Sequence, residues 1–367
     1  MHYNTDNMTD TTRLMLDLVR AASDNATTTL DIALKPSLMP MIQKAAKHAV
    51  SPALAGSLRQ LQKNQLAAGW DDVMPLLMAF ETSNKKANKT AKQTALKLAD
   101  ILQGIDIEPV FLKGMAFILE SDDSAPWRQI SDIDTLIPIH RSEQALAVLK
   151  ENGYQVAVTE KLFNDNYHHH LAPVIDPDSG LSIELHTRLM KNKRLGPDLT
   201  SLFLGSIHAG DNKSLPLILS PEDRMIHLVL HAQISNMGFA LKEISMRDIV
   251  DASTLQNLYP FDWQALERQF STMNYKHEAE CFFAACSLIT GHDIGWKPGS
   301  KADKWALASL RQLDQLQPAW KKSLRIGWEQ ASRFAHNPAR LPYILLAAIN
   351  PIVRGNAIKV GKSRLKK

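Results

Sequence analysis

Cysteine is scarce in this chain, with only Cys281 and Cys286 among 367 residues. They lie five apart in an apolar stretch that reads as helix, so they share no face, and both a disulfide framework and a thiolate zinc site are unsupported. Long apolar runs are missing too. The longest, Leu341 to Val353, is interrupted by Asn350 and Pro351 and falls short of the ~18 residues a membrane span needs. Charge of one sign is also lacking: 42 basic against 38 acidic side chains leave a net charge of +4, which permits an anionic ligand without indicating nucleic acid. The polar, acidic start, Met1 to Asp10, is wrong for a secretion signal, and a cytoplasmic protein is expected. Absent as well are the Gly-x-x-x-x-Gly-Lys-[Ser/Thr] loop, the dinucleotide fingerprint and the Gly-x-Ser-x-Gly elbow, which removes three common enzyme classes.

What is present is ordinary globular material, 45% hydrophobic and 22% charged, in a chain longer than one core usually organises. Residues 10 to about 105 carry helical stripes, including Leu14, Leu16, Leu18 and Val19, and the polar basic stretch Ser83 to Lys92 reads as the solvated start of a helix ending near Gly104. The pattern then changes. Ile105 to Leu112 reads as a short edge strand, Met115 to Leu119 as a short helix, and Ile130 to Ile139 as a second strand. Ser142 is placed to cap a helix that stops at Gly153, and Tyr154 to Thr159 reads as a third strand. A hairpin follows, Tyr167 to Ile175 and Leu181 to Thr187, turning at Asp176 to Gly180. Ser220-Pro-Glu-Asp223 is a helix start, with a helix from Leu241 to Leu258 and others over His277 to Thr290 and Ala302 to Leu316. The fold class expected is α+β: a small mixed sheet at residues 105–190 enclosed by helices from both termini.

Within that sheet one pattern carries chemistry. Asp132 and Asp134 alternate with apolar residues, so a strand aims both carboxylates at one side, an arrangement that repels itself unless a cation or water compensates. Glu184 alternates likewise with Ile183 and Leu185 on the last hairpin strand. Hard carboxylate oxygens suit Mg2+, which completes its shell with water and nucleotide phosphates, and beside them the Lys113-Gly114 turn lets backbone and ammonium approach phosphate oxygens. Arg128 is a second cation for that role. The plainer alternatives are a solvent-facing strand end for the aspartates, a wet hairpin face for Glu184 and His186, and an ordinary surface lysine at Lys113. His168 and His170 share a strand face and are read as a polar surface or, with His186, as the lining of an acceptor pocket. His227 and His231, four apart, are read as helix packing, and Arg247, Asp248 and Asp251 as a helix-surface ion network or, alternatively, a brace between domains.

The run Leu112-Lys-Gly114, Arg128-x-x-Ser-Asp-Ile-Asp134, Gly153-Tyr154 and Ile183-Glu-Leu-His186, with Leu228-x-x-His231 and Met246-Arg-Asp-Ile-Val-Asp251, resembles a bacterial family of uncharacterised nucleotidyltransferases in the DNA polymerase β-like superfamily. The resemblance covers residues 10–255. It implies that Asp132, Asp134 and Glu184 are catalytic residues binding magnesium and that the turn at Gly114 holds the triphosphate; Lys113, Arg128 and Ser131 are the further nucleotide-binding candidates. The activity implied is transfer of a nucleoside monophosphate from a triphosphate such as ATP to a hydroxyl acceptor, with release of pyrophosphate. The alternative is a catalytically inactive nucleotide-binding module, suggested by Met115 standing where the superfamily places a serine. Polynucleotide end addition would need a sustained basic groove. The division expected is a helical region at 1–104, a nucleotidyltransferase-like core at 105–205, a helical domain at 206–353 and a disordered basic tail at 354–367, which has six Lys or Arg and no acid.

Overall fold

The structure, a computed structural model, describes residues 8–23, 29–123, 125–157, 170–190, 206–211, 213–291 and 295–314. His168, the start of the expected hairpin and the basic tail lie outside the described residues. Four N-terminal helices come first: α1 (Asp10–Ser23), α2 (Leu38–Lys47), α3 (Ser51–Lys63) and the 30-residue α4 (Met74–Gln103). The sheet region comprises β1 (Val110–Phe111), α5 (Lys113–Glu120), β2 (Asp132–Leu136), α6 (Ser142–Glu151), β3 (Gln155–Val156), β4 (Val174–Ile175), β5 (Ser182–His186), β6 (Ser206–His208) and β7 (Leu217–Leu219). Five further helices follow: α7 (Pro221–Leu230), α8 (Gly238–Leu241), α9 (Met246–Leu258), α10 (Trp263–Thr272) and α11 (Lys276–Thr290), and α12 (Ser300–Gln312) closes the described chain.

The α+β expectation holds. Seven strands form one mixed sheet in the order β3-β4-β5-β2-β1-β7-β6, with β2 parallel to β5 and antiparallel to β1. The sheet continues past residue 205, because β7 pairs in parallel with β1 and carries β6 with it. Every residue of α5 from Gly114 to Leu119 is buried, which a helix apolar all round requires. On the other side of the strands' alternation, Ile133, Ile183 and Leu185 are fully buried in the same hydrophobic cluster as α1, α7 and α11. One face of β2 and β5 is therefore anchored in the core and the other is left for polar side chains.

Several local expectations change. The first two strands are shorter than their apolar runs, because only the residues that meet a partner strand pair. Ser142 is the first helical residue of α6, and the cap position belongs to Arg141, which makes no side-chain cap bond. The expected helix from Leu241 to Leu258 is broken, since Lys242 takes a left-handed φ of 53° and Ser245 opens α9 afresh by accepting from the Asp248 amide. The polar stretch 83–92 is not simply solvated. Asn88 is fully buried, and its Nδ2 donates to the Ala125 and Arg128 carbonyls at 2.9 and 2.8 Å, while Asn84 donates to the Pro126 carbonyl at 2.7 Å. Helix α4 thereby holds the loop that leads into β2.

Both cysteines are buried free thiols, and among the described residues no helix is long and apolar enough to cross a membrane. His48, in the turn between α2 and α3, accepts from the Met246 amide at 3.5 Å, and burial, assisted by Lys44 and Lys47, lowers its pKa to about 4. The unfolded chain then binds more protons than the folded one between pH 4 and 6.5, so this group's contribution is present above pH 6.5 and lost as pH falls toward 4. Urea unfolding at pH 7 and pH 5 should show the wild type losing on the order of 1–2 kcal/mol more than His48→Gln over that interval, after allowance for residual solvent.

Candidate active site

The parallel pairing of β2 with β5 puts Asp132 beside Ser182, Asp134 beside Glu184 and Leu136 beside His186. Because side chains alternate along each strand, Asp132, Asp134, Glu184 and His186 project from the same face. Asp134 is the centre of the group. It is 5% exposed, and its Oδ1 takes both the Lys113 ammonium at 2.6 Å and His186 Nε2 at 2.7 Å. Burial alone would raise this carboxyl, but Lys113 and His186 outweigh it and hold it well below the carboxylate range.

The neighbours titrate accordingly. His186 is fully buried, which disfavours its charge, yet bonds to Asp134 and Glu184 raise its pKa above the usual imidazole value. Glu184 lies 3.6 Å from both His170 Nε2 and His186 Nε2, and these histidines reverse the effect of burial and lower its pKa. Asp132 differs: burial, then Asp134 and Glu184, push its pKa up. Its Oδ1 accepts from the Ser131 hydroxyl at 3.0 Å. Three carboxylates thus face the Lys113 ammonium and the His186 ring, and Asp132 has neither as a hydrogen-bond partner.

Asp134, Glu184 and His186 each offer a ligand atom within 4.8 Å of one another. Carboxylate oxygens with one imidazole nitrogen, beside a further carboxyl raised by burial and by its two acidic neighbours, fit a divalent cation. The sequence pairs Asp132 and Asp134 with Glu184. The structure brings all three onto one face, but the cluster with ligand atoms within 4.8 Å is Asp134, Glu184 and His186, the last of which the sequence reading places in an acceptor pocket or on a wet hairpin face. Its signal in the sequence is its register, two residues after Glu184 on the same face.

The turn before this face is tightly built. Lys113 has a left-handed φ of 50°. At Gly114 a Cβ would lie 2.6 Å from Ile130 Cγ2 and 3.1 Å from the Arg128 guanidinium carbon. The glycine thus serves packing against Arg128 as well as access to the turn. Arg128 itself is 5% exposed, with Nε 2.8 Å from Asp251 Oδ1, so its charge is met by α9 and not held out to solvent. Asp248 and Asp251, at 4% and 3% exposure, are likewise interior, which overturns the helix-surface reading and supports the brace. Gly114→Ala should cost about 1–3 kcal/mol in thermal or urea unfolding, since Arg128 is pinned and cannot withdraw. A cost below ~0.5 kcal/mol would show that the turn relaxes freely.

Beyond the turn, Lys113 and Arg128 line a small cavity with Arg224, His227, Arg247 and Asp251. Arg224 is buried, stacks its guanidinium 4.4 Å over the Phe117 ring and pairs with Glu120. His227 is 3% exposed, and burial lowers its pKa to about 3, so it is neutral. Sequence reasoning assigned His227 to packing and gave Arg224 no role; only the fold brings both to Lys113.

Residues 40–291 match a family model described as "Uncharacterised nucleotidyltransferase". Comparison with curated proteins and with solved structures gives no match.

Proposed function

The chain belongs to the family of uncharacterised nucleotidyltransferases, whose model spans residues 40–291, and from that premise we propose a magnesium-dependent enzyme that moves a nucleoside monophosphate from a triphosphate to a hydroxyl acceptor. The observation that carries this reading is the convergence of Asp132, Asp134 and Glu184 from two hydrogen-bonded parallel strands, with the Lys113 ammonium 2.6 Å from Asp134. The proposed superfamily is the DNA polymerase β-like one, where paired aspartates and a third acid serve this purpose.

Asp132, Asp134 and Glu184 would hold the cation, which when bound supplies charge neutralisation for the triphosphate and its developing pyrophosphate. His186 keeps Asp134 in place by bonding Oδ1, a supporting contact of the kind that orients metal ligands. Ser131 does the same for Asp132. Lys113, whose ammonium lies 2.6 Å from Asp134, would be the cation that pairs with a phosphate oxygen. Gly114 lets that turn pack closely, and Arg128 stiffens it from behind through Asp251. Glu184, if it does not bind a second cation, would be the base that accepts the acceptor's proton. His170, 3.6 Å from Glu184, would line the approach of the acceptor.

Incubation with α-labelled triphosphate tests this directly. Label transfer and pyrophosphate release should fall to background when divalent cations are chelated and return on adding Mg2+. A second reading is favoured by the Lys113–Asp134 pair, which already neutralises the ligand oxygen: a nucleotide-binding module without turnover. It predicts triphosphate binding in calorimetry with no pyrophosphate released.

A further inference from the structure

A second polar pocket lies beyond Arg247, between the α2–α3 turn and the start of α9, and is lined by Lys47, His48, Gln233, Asn236, Ser245 and Phe282. Arg247 and Asp248 border both this pocket and the cavity that contains Lys113. Burial opposes the charge of Arg247, and Asp248 and Asp251, with Asp132 and Asp134, outweigh it.

Size separates the two spaces. The cavity at Lys113 has a volume of about 40 Å3, room for a few waters, whereas the pocket beyond Arg247 has about 300 Å3, at the lower end of what small-molecule sites occupy. The larger pocket also carries an unmet interaction. Gln233 is 2% exposed, and its Oε1 has no hydrogen-bond partner among the described residues. A buried amide oxygen left in this state costs about 1–3 kcal/mol unless a donor arrives. Gln233 lies in a π-helical turn, His231–Ser235, a wider winding than the α-helix it continues. The turn is locked behind it, because a Cβ on Gly238 would lie 2.6 Å from the Ala232 carbonyl oxygen.

The lining also restricts the occupant. Lys47 and Arg247 are balanced by Glu243 and Asp248, so the pocket favours neither an anion nor a cation. Gln233, Asn236 and Ser245 offer both donors and acceptors, which suits hydroxyl groups that both donate and accept.

We propose that this pocket binds the acceptor, a small, uncharged polyhydroxylated molecule of the sugar class, with Gln233 Oε1 accepting from one of its hydroxyls and Arg247 marking the passage to the carboxylates. The proposal rests on the transferase reading for the word acceptor, and the pocket itself is tested independently of turnover. Saturation-transfer NMR with a panel of monosaccharides and amino sugars, recorded on wild type and Gln233→Leu, reads sugar binding. Calorimetry with a non-hydrolysable triphosphate and Mg2+ reads the nucleotide site of the same two proteins. The expected result is at least one sugar bound by wild type, a tenfold or greater loss of its affinity in Gln233→Leu, and triphosphate affinity unchanged within twofold. Sugar binding through Gln233 in a protein that binds no triphosphate keeps the pocket and rejects the transferase reading. The proposal is overturned if no panel member binds wild type, if bound sugars are insensitive to Gln233→Leu, or if a folded Gln233→Leu loses triphosphate binding instead. Asn236→Ala, which removes a neighbouring polar group without touching the buried Gln233, should weaken the same sugar and guards against misfolding of the first variant.

Discussion

Asp134→Asn is expected to lower nucleotidyl transfer by about 10^3-fold or more, with triphosphate binding weakened and the far-ultraviolet circular dichroism unchanged. The magnitude follows from removing a carboxylate on which a divalent cation and its phosphate clamp depend, a loss of several kcal/mol in transition-state stabilisation. Asparagine keeps the side chain's shape and retains an oxygen for Lys113 and His186, so the β2–β5 pairing survives while the charge is lost. Asp132→Asn should show a comparable loss of turnover with less disturbance of Lys113, because its hydrogen bond comes from the Ser131 hydroxyl and not from a cation. Single-turnover transfer of an α-labelled triphosphate, compared at saturating Mg2+, checks both. Undiminished transfer in either variant would remove the carboxylate face from the chemistry.

Arg128→Ala should destabilise the protein by about 3–5 kcal/mol, the largest effect expected of a substitution outside the carboxylate cluster. Arg128 and Asp251 are 6% and 4% exposed at their side chains and meet at 2.8 Å, so removing the guanidinium strands a buried carboxylate whose pKa burial already raises. The carboxyl would then take a proton or admit water. Arg128→Met combined with Asp251→Leu should recover most of the loss, since the cost lies in the unpaired charge and not in the absence of the pair. Urea unfolding of the three variants separates the two effects. A single-variant loss below 1 kcal/mol would mean that solvent reaches Asp251 and that the brace between the β2 approach and α9 is slack.

How far these features could be read beforehand depends on the range of the interaction behind each. Ser220-Pro-Glu-Asp announced a helix because its chemistry is complete within four residues: the Ser220 hydroxyl accepts from the Asp223 amide. The turn at Asp176 to Gly180 was legible for the same reason, with Asp176 Oδ2 accepting from the Ser179 amide at 2.8 Å, and the strands it joins pair Ile175 with Ser182. The break between α8 and α9 was not legible, because the apolar period runs on through it and only the tertiary setting imposes left-handed backbone at Lys242. The burial of His186 was hidden by its alternation with Leu185, which assigns a side but not what covers it. The polar stretch at 83–92 misled similarly: its two asparagines look solvated until the loop at 125–128 is laid against them.

By itself the sequence determined that two aspartates share a strand face and that a third acid stands on the same face of another strand, since a two-residue period is a property of the backbone and needs no partner. The tertiary structure alone decided that those strands lie side by side in parallel register, that Lys113 and His186 meet on one oxygen of Asp134, and that Arg128 spends its charge on Asp251, 123 residues away. The reason is physical. A carboxylate in a chain attracts every cation equally in prospect, and which one neutralises it is settled by the folding that excludes water from some pairs and leaves others wet.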